Sequence, residues 1–535
     1  MSVDEILARP FATIGEVITE HARERAGHPA LVAGGVRMSY AELNALMDRI
    51  AAALQRDGVR QGDAVAICAS TSLEYAAVFL GILRAGAVVV PLAPSSTAES
   101  LRMMLADCDA KLLFLDTDVA GALSPVMAAI RAKRVALDSR AALEAGASET
   151  FESWLAPTGA KPTPVEISPD QGFNIIYSSG TTGVPKGIVQ PHRMRWGQFS
   201  RGGHSPGSVT MISTPLYSNT TLVSFLPTLT HGGTAILMAK FEAERFLTLS
   251  QRHRVTHAML VPVQYRRLMQ QPDFDAYDLS SYQMKFASSA PFAGELKAEV
   301  LRRWPGGLTE YYGMTEGGGS CMLLAHEFPD KLHTVGQPMP GHEIRLISED
   351  GREVPRGGIG EIVGRSGAMM TGYHNQPEKT RESEWFSPQG IRYIRTGDVG
   401  RFDADGFLTL LDRKKDLIIS GGFNVYPSDL EAQIVVHEEV LEAAVVGVPS
   451  DRWGETPVAF VVLKPGRRIE SGALKDWVNG RLSKTQRLAD LQVVGELPRS
   501  HIGKVLKREL RDGYQGPAAT AGHGAVDSVR QRTDD

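Results

Sequence analysis

The feature that most constrains this chain is a cadence: apolar runs of strand length alternate with amphipathic helical patterns through residues 1–400. Ser39 and Glu42 have capping-box spacing, and Leu43, Leu46, Met47, Ile50 and Leu54 then recur on one helical face before Gly58. A short apolar run, Ala64–Cys68, precedes a helical stretch, Leu73–Leu83, and a second apolar run, Val88–Leu92. That is the arithmetic of a βαβ unit. Strand-like runs follow at Leu112–Leu115, Phe173–Tyr177, Val209–Ser213, Ala235–Met238 and Ala258–Val261. The expectation is an α/β fold: a large N-terminal domain of layered βαβ-type sheets with helices, residues 1–413. Residues 140–170, rich in Ala, Pro, Ser and Thr, read as a surface connection between its two halves. After Leu411–Asp416 the texture changes, and runs at Ala443–Val448 and Val458–Leu463 among helical patterns suggest a small α+β domain, residues 414–515. The small, polar stretch 516–535 is expected to be disordered.

Length and composition narrow the class. With 535 residues, 43% of them hydrophobic, the chain is too long for one ordinary core and too apolar for general disorder. Lysine plus arginine number 57 against 61 acids, a formal charge of -4 without any block of one sign. A nucleic-acid or membrane-surface role is thereby disfavoured. Cys68, Cys108 and Cys321 are too few and too scattered for a disulfide framework or a cysteine metal site. The N-terminus carries acids where a secretory signal needs bases, and the most apolar stretch, Ala76–Leu83, falls far short of the ~20 residues that span a bilayer. A soluble cytoplasmic protein, without nucleic-acid or integral-membrane partners, is expected; a homodimer is left open.

Four segments can carry chemistry. Tyr177-Ser178-Ser179-Gly180-Thr181-Thr182-Gly183-Val184-Pro185-Lys186-Gly187 follows a strand-like run. Its glycines free the main chain to expose N–H groups, and four hydroxyls and Lys186 add donors and charge suited to a triphosphate. It is not a P-loop, because Gly187 stands where a magnesium-ligating Ser or Thr would follow the lysine. Glu310-Tyr311-Tyr312-Gly313-Met314-Thr315-Glu316 sets rings that can stack on a base beside a hydroxyl for phosphate and a carboxylate for Mg²⁺. Tyr393-Ile394-Arg395-Thr396-Gly397-Asp398 places an acid after a turn, where it could accept both ribose hydroxyls. Pro498-Arg499-Ser500-His501-Ile502-Gly503-Lys504-Val505 presents a lysine on a glycine turn. Each segment alone also reads as ordinary structure: a flexible turn, a core tyrosine pair, a strand-turn acid, a solvated basic face.

In this order and at these separations the segments, with Asp412-Arg413-Lys414-Lys415-Asp416, resemble the acyl-adenylate-forming superfamily of acyl-CoA synthetases, peptide-synthetase adenylation domains and luciferases, over roughly residues 10–515. The resemblance implies an ATP-dependent acid–thiol ligase that uses ATP, Mg²⁺ and CoA. It implies that Ser178, Ser179, Gly180, Thr181, Thr182, Gly183 and Lys186 wrap the β- and γ-phosphates. Thr315 and Glu316 would meet the α-phosphate and Mg²⁺, and Tyr312 would stack on adenine. Ser288, Ser289 and Ala290 would line the adenine edge beside Glu310, Tyr311 and Gly313, and Asp398 and Arg413 would hold the ribose. Lys504 would bridge α-phosphate and carboxylate, and Lys415 falls on a hinge between the large domain and a small mobile one. The acyl pocket would be lined by Tyr217, Ser218, Asn219, Gly313 and Gly317.

Gly421, Gly422 and Phe423, in a turn like that of fatty-acyl-CoA ligases, and Trp453 would lie on the CoA side. Phe423 stands where many relatives have Glu, and Ser218 where the family commonly carries His or an aromatic residue. A hydrophobic fatty, aryl or cyclic acid is the expected substrate, in the setting of fatty acid metabolism. Two alternatives remain: a stand-alone enzyme loading a carrier protein, and a catalytically silent nucleotide binder. Gly203-His204-Ser205-Pro206-Gly207 mimics a hydrolase nucleophile elbow, but Pro206 lacks the N–H its oxyanion hole requires. His253 and His257 have i, i+4 spacing without a third ligand, so no zinc is assigned.

Overall fold

The computed structural model describes residues 1–138, 146–178, 185–200, 203–420, 423–450, 452–483, 486–500 and 503–516, with the main chain alone for Lys414, Phe423 and Asn424. The expected tail thus falls almost entirely outside the described residues. Two compact units emerge among the described residues, one of residues 1–410 with Gly503 and Lys504, the other of 411–500 with 505–516.

In the first unit the predicted elements form where periodicity places them. Ser39 and Glu42 close both halves of the capping box on helix Tyr40–Arg56. That helix buries Leu43, Met47, Ile50 and Leu54 against helix Leu73–Arg84, which approaches so closely that a Cβ on Gly81 would lie 2.6 Å from Ile50. Apolar strands covered on both faces build two mostly parallel sheets. Among the described residues the first has eight strands, ordered 372–373, 186–191, 172–178, 88–91, 64–68, 112–115, 133–136 and 149–150. The second has nine, ordered 337–338, 321–324, 307–312, 284–287, 257–260, 209–212, 234–237, 29–33 and 36–39. A smaller antiparallel sheet is centred on strands Gly360–Arg365 and Arg392–Phe402.

The Ala/Pro-rich stretch is more than a surface connection. Glu149–Thr150 extends the eight-stranded sheet, and Thr150 caps the turn Phe151–Trp154. Trp154 is wholly buried, edge-on to Phe114 at 5.0 Å. Aromatic burial of this size outweighs the turn-rich composition around it. Residues 155–168 carry no helix or strand.

The second unit is α+β. Strands Val440–Ser450 and Gly454–Leu463 form a long hairpin, and Ile418–Ser420 and Asp490–Val493 both pair with Gly454–Leu463. Helices Pro427–Val435 and Ser471–Asn479 cover one face, burying Leu430, Ile434, Leu474 and Val478 on Val445, Ala459 and Val461. Lys507, Glu431 and Asp412 form a half-buried charged cluster, with Lys507 2.8 Å from Glu431. Among the described residues no helix is long and apolar enough to cross a membrane.

Candidate active site

The nine-stranded sheet changes direction at strand Val209–Ile212, which pairs with Thr234–Leu237 on one side and His257–Leu260 on the other, all in parallel. In open α/β sheets a crevice opens beyond the strand C-termini at such a switch. Parallel strands Met284–Ala287 and Gly307–Tyr312 continue the same edge. The segments beyond these ends are Ser213–Asn219, Ser288–Ala290 and Gly313–Glu316, so three of the sequence-assigned groups share one rim.

On that rim the Ser288 hydroxyl donates to the Tyr311 carbonyl at 3.0 Å. Ser289 takes a φ of +83°, a strained choice for a side-chain-bearing residue, and its hydroxyl is hydrogen-bonded to that of Thr220. The Tyr311 ring stacks on Phe286 at 6.0 Å. Tyr312 donates its hydroxyl to Asp398 at 2.8 Å, while the Asp398 main-chain N–H donates to Thr396. Burial and the Asp398 carboxylate push the Tyr312 phenol well up, so it stays a donor. Glu310 goes elsewhere: it is buried and ion-paired with Lys297 of helix Gly294–Arg303, and burial pushes its carboxyl up to about 6.

Glu316 and Lys186 meet through a residue that sequence reasoning missed. Tyr373 donates its hydroxyl to Glu316 at 2.9 Å, and the Lys186 ammonium lies 5.3 Å from the Tyr373 ring centroid. The Met370 N–H donates to the Glu316 carbonyl at 2.8 Å, and Gly317, buried under the Ala368 carbonyl with φ +76°, has no room for a side chain. A carboxylate with one oxygen held by a phenol suits a hard cation that takes its other ligands from phosphates and water.

Strands Gly172–Ser178 and Lys186–Pro191 pair on either side of the glycine-rich segment, with Ser178 opposite Lys186. Ser179, Gly180, Thr181, Thr182 and Gly183 lie outside the described residues. Within this hairpin runs a buried polar chain that was also missed. Arg195 Nε donates to Asn174 at 3.0 Å, Asn174 Nδ2 to Gln190 at 2.9 Å, and Gln190 Nε2 to the Thr315 carbonyl at 2.6 Å. The available signal was a polar residue inside each of two apolar runs, Phe173-Asn174-Ile175-Ile176 and Gly187-Ile188-Val189-Gln190.

Among the residues expected to line the acyl pocket, burial pushes the Tyr217 phenol up to about 12. Ser218 is buried at the N-cap of helix Asn219–Thr230 without capping it through its side chain. The Asn219 amide oxygen lies 3.4 Å from Gln190 Nε2. Arg413 and Lys415 belong to the second unit, and Lys504 is grouped with the first. Gly421, Gly422 and the Phe423 side chain fall outside the description. Trp453 is 45% exposed at the turn between the two long hairpin strands, with the Arg452 guanidinium 4.8 Å from its ring centroid. Ser205, the mimic nucleophile, lies in an exposed turn whose N–H donates to Ser208. His253 ends a helix and His257 opens a strand, so the two do not share a helical face.

The chain is similar to known proteins over most of its length. Residues 18–374 match the AMP-binding enzyme family model, and 429–504 match the AMP-binding enzyme C-terminal domain. A fatty acid–[acyl-carrier-protein] ligase, ScoC, of Streptomyces coeruleorubidus is 31% identical over 97% of this chain and 99% of its own. An indoleacetate–CoA ligase of Aromatoleum aromaticum is 32% identical over 93% of this chain and 97% of its own. ATP-bound MatB of Rhodopseudomonas palustris superposes with a TM-score of 0.81 at 30% identity, covering 94% of this chain and 99% of that one.

Proposed function

The chain belongs to the AMP-binding enzyme family, and from that premise we propose that it is an ATP-dependent carboxylate–CoA ligase acting through an acyl-AMP. The observation that carries the reading is the rim on which Thr315, Glu316, Tyr312–Asp398 and the Lys186–Tyr373 pair come together beside Ser288–Ala290. In the first half-reaction a carboxylate oxygen of the acid attacks the α-phosphorus of ATP, the α–β anhydride bond breaks and pyrophosphate leaves. Two anions must approach, so the reaction needs preorganised positive charge where charge develops. Lys504 fills that role at the α-phosphate and Lys186 at the outgoing phosphates. The Thr315 hydroxyl donates to the α-phosphate, Tyr312 faces adenine and Asp398 accepts the ribose hydroxyls. The free carboxylate oxygen of Glu316 would hold Mg²⁺, which when bound neutralises phosphate charge. In the second half-reaction the CoA thiolate attacks the acyl carbon, forming the thioester and expelling AMP.

The acid in this reading is hydrophobic, a fatty or an aryl carboxylate. A carrier-protein thiol is the second acceptor to test, favoured by the similarity to ScoC over nearly the whole of both chains. The experiment is AMP release from MgATP across fatty, benzoic, cinnamic, indolic and steroid acids, with and without CoA. Release that needs CoA and one acid class is the expected result. Acid-dependent pyrophosphate exchange without any CoA-stimulated AMP release would move the acceptor to a carrier protein, and ATP binding without turnover on any acid would overturn the ligase reading.

A further inference from the structure

Arg195 is wholly buried, and among the described residues its Nη2 has no partner. Its other bonds go to neutral amides, Nε to Asn174 and Nη1 to Gln198 at 3.0 Å, and its ring neighbour is Phe173 at 5.9 Å. A guanidinium without a carboxylate is a costly way to fill a core, so its presence calls for a role that an apolar side chain could not take. Burial pushes its pKa down to about 9, which still leaves it charged at neutral pH.

The chemistry of the donors gives that role. Arginine has donors and no acceptor, so the amide beside it must present oxygen. Asn174 therefore turns Oδ1 to Arg195 and Nδ2 to Gln190. Gln190 in turn presents Oε1 to Asn174, which commits its NH₂ group to the Thr315 carbonyl and leaves a second hydrogen for Asn219. One cation thus fixes the orientation of two buried amides, and every bond in the chain is polarised in the same sense. The far end is the peptide between Thr315 and Glu316, held by Gln190 at the Thr315 carbonyl and by the Met370 N–H at the Glu316 carbonyl. Resting on the adenylation reading above, we propose that Arg195 and Gln190, acting through Asn174, are positioning residues that hold the Thr315–Glu316 turn in register for the first half-reaction.

Asn174→Asp provides the decisive test. It gives Arg195 a counter-charge, so a merely structural role predicts an unchanged or sturdier enzyme. The carboxylate, however, has no hydrogen for Gln190. Gln190 must flip its NH₂ toward the new carboxylate and set its oxygen against the Thr315 carbonyl. Gln190→Leu removes the contact outright. Both variants are expected to lower acid-dependent ATP–pyrophosphate exchange about tenfold to a hundredfold, as a misplaced reacting group does, while thioester formation from supplied acyl-AMP stays within about threefold. Hydrogen exchange supplies a readout that needs no substrate: the Gly317, Gly318 and Met370 amides, bonded to Met314, Ala368 and Glu316, should lose protection in both variants. Exchange activity within about threefold of the unsubstituted enzyme, or equal losses in both half-reactions, would overturn the proposal. Should the unsubstituted enzyme activate no acid, the functional reading fails and hydrogen exchange alone decides. Lost protection then supports the positioning role, and unchanged protection refutes it.

Discussion

Replacing Lys297 with Met would leave Glu310 as a lone carboxyl in the core of the large unit. The two side chains are 1% and 5% exposed, and Lys297 donates in addition to the Leu332 and Thr334 carbonyls at 2.8 and 3.1 Å. Without its partner the buried carboxylate is driven to its neutral form, because an isolated charge costs far more than a proton does. Holding a carboxyl of ordinary pKa near 4.5 protonated at pH 7 costs about 2.5 pH units at 1.36 kcal/mol each, or about 3.4 kcal/mol. At pH 5.5 the same term falls to about 1.4 kcal/mol. Lys297→Met should therefore be markedly more destabilising at pH 7 than at pH 5.5 in urea unfolding monitored through the large unit. The double variant Lys297→Met/Glu310→Leu removes both charges and should come within about 1 kcal/mol of the starting protein at either pH. It also asks whether Glu310 serves ATP, as its place in the sequence suggests, or only the core. With the fold restored, the KM for ATP should stay within about threefold. A double variant as unstable as the single, or one that is stable but has lost ATP affinity, would refute this account of the pair.

Three further outcomes are expected. Lys504→Ala should lower pyrophosphate exchange about 10²–10³-fold and spare thiol transfer from supplied acyl-AMP, and equal losses in single-turnover assays of the two steps would contradict that division. Tyr373→Phe removes the hydroxyl that orients Glu316, and the KM for MgATP should rise about threefold to tenfold with little change in thermal stability. Burial lowers the imidazoles of His21, His192 and His257 to about 4 and that of His204 to about 3. Their unfolded values lie near 6.5, so the unfolded chain binds protons first. The stability they contribute is whole above pH 6.5 and is lost as pH falls through 4. Urea midpoints should drop steeply across that window, and His192→Gln should make the slope shallower; a flat profile would show that these rings charge without unfolding.

Much of this protein was set by local pattern. The capping box at Ser39, the apolar runs at Ala64–Cys68 and Leu112–Leu115 and the helix from Leu73 form where the sequence marks them, because periodicity and caps act over a few residues. The order of motifs likewise identified the family, since Thr315, Glu316 and Asp398 stand in short recognisable strings. Other features have no local mark. Glu310 neighbours Tyr311 in sequence, yet strand Gly307–Tyr312 carries it toward helix Gly294–Arg303, and only the packing of that helix supplies Lys297. The turn-rich stretch before Gly172 hides Trp154, whose burial depends on Phe114. Tyr373 reaches Glu316 across 57 positions and Gln190 reaches Thr315 across 125, because the strands that carry Gln190 and Tyr373 in the eight-stranded sheet pack beside the rim that follows strand Gly307–Tyr312 of the nine-stranded sheet. Backbone pattern is short-ranged and can be read residue by residue. Which buried donor meets which acceptor is settled by the tertiary fold, where every polar group removed from water must find a partner.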